Sequence, residues 1–192
     1  MRFPIPRAAA GGVVLAVLLS ACGGGDRPLA TVDRVDLQRY AGTWYEIARL
    51  PQWFQRGCYN STATYQPMDD GGLKVINRCQ REDGPSVAEG EARVVPDSGN
   101  AKLKVRFDNW FSRLLPRIAE GNYWIIALDK DYRTVVIGEP GREYLWILAR
   151  DPRLPEDQYQ ALLEGAREKG FPVDELKRNR DLVPASPAPV EG

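Results

Sequence analysis

Between Lys102 and Phe107 the chain reads Lys-Leu-Lys-Val-Arg-Phe, charged and apolar residues in unbroken alternation. Successive side chains of a strand point to opposite faces, so Leu103, Val105 and Phe107 share an apolar face and Lys102, Lys104 and Arg106 a solvated one. Val87 to Val95 repeats the arrangement, with Ala88, Gly90, Ala92 and Val94 against Glu89, Glu91 and Arg93. A sheet that is wet on one side and apolar on the other follows. Thr43 to Leu50, Tyr59 to Gln66 and Leu73 to Gln80 are further strand-length segments. Tyr123 to Leu128, Thr134 to Gly138 and Tyr144 to Ala149 are more uniformly apolar, as in strands covered on both faces or covered outside by a helix. The links are short and turn-rich: "PMDDGG", "DKDYRT" and "EPGRE". Eight meandering strands would leave exposed sheet edges unless the sheet closes on itself, which predicts an all-β, antiparallel up-and-down barrel.

One helix follows the strands. In "LPEDQYQALLEGAREKG", Pro155 stands near the start, Glu156 and Asp157 lie in the first turn, Arg167 and Lys169 in the last, and Gly170 at the stop. Tyr159, Leu162, Leu163 and Ala166 form one stripe, which needs a single sheet face to cover. The outer face of the first and last strands is the expected partner.

The ends of the chain read differently. Arg2 and Arg7 precede an apolar run, Ala8 to Leu19, too short to span a bilayer as a helix. It ends in Leu19-Ser20-Ala21-Cys22, small residues before a cysteine that resemble a bacterial lipobox. That resemblance implies a signal peptide over 1–21, cleavage before Cys22, and lipidation of that residue, with Gly23-Gly24-Gly25 opening a tether over 22–34. Gly23 in place of Asp points to outer-membrane sorting. The folded domain is expected over 35–183, and "PASPAPVEG" over 184–192 is expected to be disordered.

Composition removes several function classes. Lys+Arg and Asp+Glu both number 26, so no basic face speaks for nucleic acid. The chain has no His, which removes His-based catalytic triads, His metal ligands and the commonest haem ligand. Of three Cys, Cys22 is taken by lipid, and Cys58 and Cys79 remain in an oxidising compartment. An even pair there suggests one disulfide rather than two free buried thiols. Pairing Tyr65 with Leu73 across the first hairpin places Cys58 within one residue of Cys79.

Three segments match a family. "GTWYEIAR" at Gly42 to Arg49 resembles the Gly-X-Trp motif of lipocalins. "NYWIIALDKDYRTVVIG" at Asn122 to Gly138 is similar to their second motif, with Asp129 and Tyr132 between the sixth and seventh strands. "YLWILARDP" at Tyr144 to Pro152 looks like the third, carrying Arg150. They occur in order over nearly all of Asp36 to Val183. Within the family the resemblance is to bacterial outer-membrane lipoproteins and to apolipoprotein D. In a closed barrel these motifs lie at one end, where Trp44 can plug the barrel under the Arg150 guanidinium.

The other end is the mouth, built from "LPQWFQRG", "REDGPS", "FDNWFSRLLPRIAEG" and "EPGRE". The resemblance implies a hydrophobic ligand such as a fatty acid or lysophospholipid. Trp53, Phe54, Tyr59, Val105, Phe107, Trp110, Phe111, Ile125 and Trp146 are the expected ligand-binding residues, with room left by Ala88, Gly90 and Ala92. Arg56, Arg113, Arg117 and Arg142 lie in or beside the same connections, and mouth aromatics could meet acyl chain or membrane. Glu46 shares parity with Trp44 and Ala48, so it is expected inside, as a satisfied acid near the closed end. No catalytic residue, metal or cofactor is assigned. A homodimer is left open as a partner. The competing readings are a lipocalin-fold enzyme acting on a lipophilic substrate, and a filled-barrel structural lipoprotein.

Overall fold

The computed structural model describes residues 28–107 and 120–182. Cys22, Trp110, Phe111, Arg113, Arg117 and the 184–192 tail lie outside the described residues. The strands are β1 (Gly42–Arg49), β2 (Tyr59–Pro67), β3 (Leu73–Arg81), β4 (Gly84–Val94), β5 (Lys102–Phe107), β6 (Glu120–Leu128), β7 (Thr134–Gly138) and β8 (Leu145–Ala149). Each pairs antiparallel with the next, β8 pairs with β1, and β1 pairs with β2, so the sheet closes. A two-residue strand, β9 (Lys177–Arg178), adds to the second half of β1 from outside. The expected barrel is the observed one.

Local registers depart from the simple alternation. Across the first hairpin Tyr65 pairs with Val75 rather than Leu73, and Pro67 takes Leu73. Met68 and Gly72 close the turn, with Gly71 at φ +83°. An irregularity between Tyr59 and Thr62, with Asn60 at φ +49°, inserts a residue opposite Cys79, so Tyr59 comes opposite Gln80. The bulge undoes only half of the hairpin shift, and Cys58, diagonal to Cys79, is disulfide-bonded to it with Cα atoms 5.4 Å apart. β4 starts at Gly84, which shrinks the expected "REDGPS" connection to Glu82 and Asp83.

Two further bulges have larger effects. Between Glu46 and Ala48, β1 carries one residue more than β8, and between Ile125 and Ala127, β6 carries one more than β7. A residue inserted into one strand reverses the in–out order beyond it. Ala48, expected inside, accordingly packs with Ile47 against the outer layer. Arg49 turns inward in its place.

The core has two layers. Inside the barrel lie Trp44, Tyr65, Val75, Ala92, Leu103, Val105, Ile125, Val135, Ile137 and Leu148, with Tyr40 and Val35 from the segment before β1. Outside, α2 (Glu156–Glu168) sets Tyr159 and Ala166 on Ile47, Ala48, Ile126, Val136, Leu145, Ile147 and Ala149. The helix therefore covers the outer side of β6, β7, β8 and β1, which explains why the last three long strands read as apolar on both faces. Phe171 follows the helix and packs on Gly138, where an added Cβ would sit 2.5 Å from its ring.

The closed end is built around Trp44, which has no accessible surface. A short helix, α1 (Leu37–Tyr40), capped by the Asp36 carboxylate, leads the chain beneath it. The Trp44 indole N–H donates to the Tyr40 carbonyl at 2.8 Å. The Arg150 guanidinium lies 3.9 Å over the indole and donates to the carbonyls of Arg39, Tyr40, Ala41 and Thr43 at 2.8–3.0 Å. Gly42 sits at φ +96°, and a Cβ there would meet the same guanidinium at 3.2 Å. Asp129 accepts backbone N–H groups of Asp131, Arg133 and Thr134, which shapes the loop that carries Tyr132. The Tyr132 hydroxyl accepts from the Asp36 N–H, and Arg39 stacks 4.1 Å over its ring. Gly42, Trp44, Asp129, Tyr132 and Arg150 thus join into one plug.

Candidate functional site

At the opposite end, the connection after β1 folds into a 3-10 turn, Trp53–Gln55, that leans over the barrel rim. Trp53 is 75% exposed and Phe54 42% exposed, unusually open for side chains of this size. Trp53 and Phe54 meet edge to face at 5.6 Å, Phe54 reaches Tyr144 at 5.6 Å and Trp146 at 6.5 Å, and Tyr144 stacks near Trp146 at 6.2 Å. These four rings form a continuous aromatic lip running from solvent onto the inner face of β8. The Trp146 indole N–H donates to Gln55 Oε1 at 3.0 Å, which ties the lip to the turn.

Beneath the turn lies a buried charged pair. Glu46 and Arg49 are each 5% exposed and form a salt bridge. Arg49 also donates to the carbonyls of Gln55 at 3.2 Å and Cys58 at 2.9 Å, and Gln55 donates to the second Glu46 oxygen at 2.9 Å. Burial pushes the Glu46 carboxyl above its ordinary range, and the Arg49 charge and the Gln55 and Arg49 hydrogen bonds draw it back down. The acid is therefore a satisfied structural group, as expected. Its partners come from the mouth connection rather than the closed end, because the β1 bulge turns Arg49 inward. Beside this network a pocket of about 350 Å³ opens between the Pro51–Gly57 connection and Lys177, with Arg56 on its wall.

The expected ligand residues divide into groups. Trp53, Phe54 and Trp146 come together at the lip. Phe107 is inward-facing opposite Gly90 and only partly buried, so it lines the lumen wall. Val105 is 8% exposed and Ile125 has no accessible surface, which makes them packed parts of the inner core. Tyr59 pairs with Gln80, and Thr62 with Arg78, on the outward parity of β2, so the register sets Tyr59 outside the lumen.

The sequence reading missed three tyrosines. Tyr123 on β6 faces Leu103 on the inner side, and its hydroxyl bonds those of Tyr40 at 2.6 Å and Tyr65 at 2.8 Å. β2 and β6 stand on opposite sides of the barrel, so the Tyr65–Tyr123 bond crosses the lumen. Desolvation holds all three phenols above their ordinary pKa, reinforced in Tyr40 and Tyr123 by the neighbouring phenols. Tyrosine periodicity on three separate elements gives no local signal of such a cluster. Only closure of the barrel brings the rings together. Among the described residues no group of three or more His, Cys, Asp or Glu could hold a metal.

Comparison with known proteins agrees with this architecture. The family description "Lipocalin-like domain" matches residues 35–181. The outer membrane lipoprotein Blc of Citrobacter freundii is 40% identical over 168 residues, covering 85% of this chain and 90% of that one. Temperature-induced lipocalin-1 of Arabidopsis thaliana is 36% identical over 168 residues, covering 86% and 87%. Insecticyanin from the tobacco hornworm Manduca sexta superposes with a TM-score of 0.61 at 18% identity, covering 81% of this chain and 84% of that one, a likeness of fold alone.

Proposed function

This chain belongs to the lipocalin family, and from that premise we propose that it binds a lipophilic ligand in the barrel lumen, a fatty acid or a lysophospholipid, while a lipid on Cys22 holds it to the outer membrane. The observation that carries the reading is aromatic surface left accessible on inward positions of the barrel. Phe107, Tyr123 and Trp146 all face inward within a closed sheet, yet each keeps accessible surface. Such surface gives an apolar ligand something to cover. An eight-stranded barrel has room for one small ligand at its mouth.

Other features support the finer points. The exposed Trp53 and Phe54 give an acyl chain an apolar path from the rim to Trp146. Arg56 and Lys177 on the adjoining pocket favour a ligand whose head is anionic, a carboxylate or a phosphate. The lipobox-like end of the leader and the likeness to an outer membrane lipoprotein support lipid storage or transport in the envelope, facing the periplasm.

The test uses the chain from residue 22 onward, carrying Cys22→Ser so that it is soluble without an anchor. Native mass spectrometry should detect a co-purifying lipid, and added fatty acid should quench tryptophan fluorescence through Trp146 and the lip. Neither bound lipid nor quenching would overturn the ligand reading. Separately, the full-length Cys22→Ser protein should leave the outer-membrane fraction, and its retention there would overturn the anchor.

A further inference from the structure

Three buried hydroxyls at the base of the lumen carry more hydrogen than they can place. Tyr40, Tyr65 and Tyr123 hold three O–H protons between them, and the two bonds among them use two. No other acceptor meets these hydroxyls among the described residues. A buried donor without an acceptor costs about 1–3 kcal/mol, so the third proton needs a partner from outside the protein. Tyr40 has no accessible surface and Tyr65 has 3%, whereas Tyr123, on an inward position of β6 opposite Leu103, is only partly buried.

The wall above the cluster repeats the pattern. Going from the floor toward the mouth, the inward positions of β2 are Tyr65 and Ala63, with Ser61 following in the bulge, and those of β3 are Val75 and Asn77. Ser61 is 5% exposed, and its hydroxyl has no hydrogen-bond partner; the Asn77 side-chain oxygen is buried and equally unpartnered. Asn77 stands opposite Ala63 on one side and Ala88 on the other, small neighbours that leave room beside it. Polar groups buried without partners inside an otherwise apolar lumen are costly unless something fills them.

We propose that the Tyr40–Tyr65–Tyr123 hydroxyls, with Asn77 and Ser61 on the wall above, form a polar station inside the barrel that binds an oxygen function carried within the ligand's hydrocarbon body. The inference rests on the reading that the lumen holds a lipophilic ligand, and specifies its class: a lipid hydroxylated along its chain rather than a plain acyl chain. A hydroxyl suits the station because it accepts the spare phenol proton, or donates to the Asn77 oxygen. A merely structural cluster would pack the floor equally well under either kind of chain.

The experiment compares stearate with a series of monohydroxylated stearates, the hydroxyl walked along the chain, binding to the Cys22→Ser chain from residue 22 and read by tryptophan quenching. At least one hydroxylated position should bind about tenfold tighter than stearate, one good buried hydrogen bond's worth. In Tyr123→Phe, and independently in Tyr65→Phe and Ser61→Ala, the ratio of the two affinities should fall toward one. A series in which no position exceeds stearate would overturn the proposal and leave the ligand reading standing. So would a gain that survives all three substitutions. Failure of stearate and every hydroxylated analogue to bind would overturn both.

Discussion

Arg49 illustrates how one side chain is fixed by its surroundings rather than by its type. It is 5% exposed, and every hydrogen bond it makes goes to the mouth: the Glu46 carboxylate and the carbonyls of Gln55 and Cys58. Removing one partner of a buried pair leaves the other charge unpaired in low dielectric, whereas removing the charge of both leaves none. Arg49→Ala should therefore destabilise the fold by about 3–5 kcal/mol, and Arg49→Met combined with Glu46→Gln by clearly less. Urea unfolding of the three proteins checks this, and a double variant as unstable as Arg49→Ala would refute it. Trp44 and Arg150 depend on each other in a different way. Five carbonyls, those of Arg39, Tyr40, Ala41, Thr43 and Tyr132, converge on one guanidinium over one indole, a geometry that a lysine ammonium cannot reproduce.

At the scale of elements, the disulfide and the bulges set how the mouth is built. Cys58 immediately precedes β2 and Cys79 nearly ends β3, so the bond fixes the β2–β3 hairpin at its open end, 21 residues apart in sequence. Replacing both cysteines by alanine should lower stability by about 3 kcal/mol in the chain-entropy picture, seen as a lower urea midpoint. An unchanged midpoint would show that the hairpin register alone holds the mouth. Much of this level was legible in advance: the alternation in β4 and β5, the helix with its acidic start and basic end, and the pairing of the two cysteines. What was not legible was the inserted residue at Ile47 and at Ile126. A bulge leaves no mark in composition, because both Ile47 and Ala48 are apolar and either could face in or out. Parity counting from Trp44 reaches Glu46 correctly and fails at the next inward position for that reason.

For the whole molecule, the three buried tyrosines link stability to pH. Each has a folded-state pKa raised above its unfolded value of about 10, chiefly by desolvation. Below that pH both states hold the phenol protons, so the stability is fully present. As pH rises past about 10 the unfolded state loses protons that the folded state keeps, and stability falls. The chain has 8 tyrosines, and phenolate absorbance followed alongside circular dichroism should show Tyr40, Tyr65 and Tyr123 ionising only together with loss of the barrel. Reversible titration of every tyrosine in the folded protein would refute this. The Tyr123→Phe protein should lose stability less steeply above about pH 10.

The amino-acid sequence by itself determined the eight strands of the barrel, its closure, the helix that covers it and, through the family motifs, Trp44 under Arg150 at the closed end. Period-two alternation, turn residues and ordered motifs are local signals, and each can be read from a few neighbouring residues. It also placed Trp53 and Phe54 at the opposite end from Trp44, since one strand separates them. Only the tertiary structure decided that Tyr59 faces out, that Arg49 faces in beside Glu46, and that Tyr40, Tyr65 and Tyr123 share hydrogen bonds across the lumen. Those facts depend on single inserted residues that reverse parity and on closure that brings β2 opposite β6, and neither is encoded in any one stretch of chain.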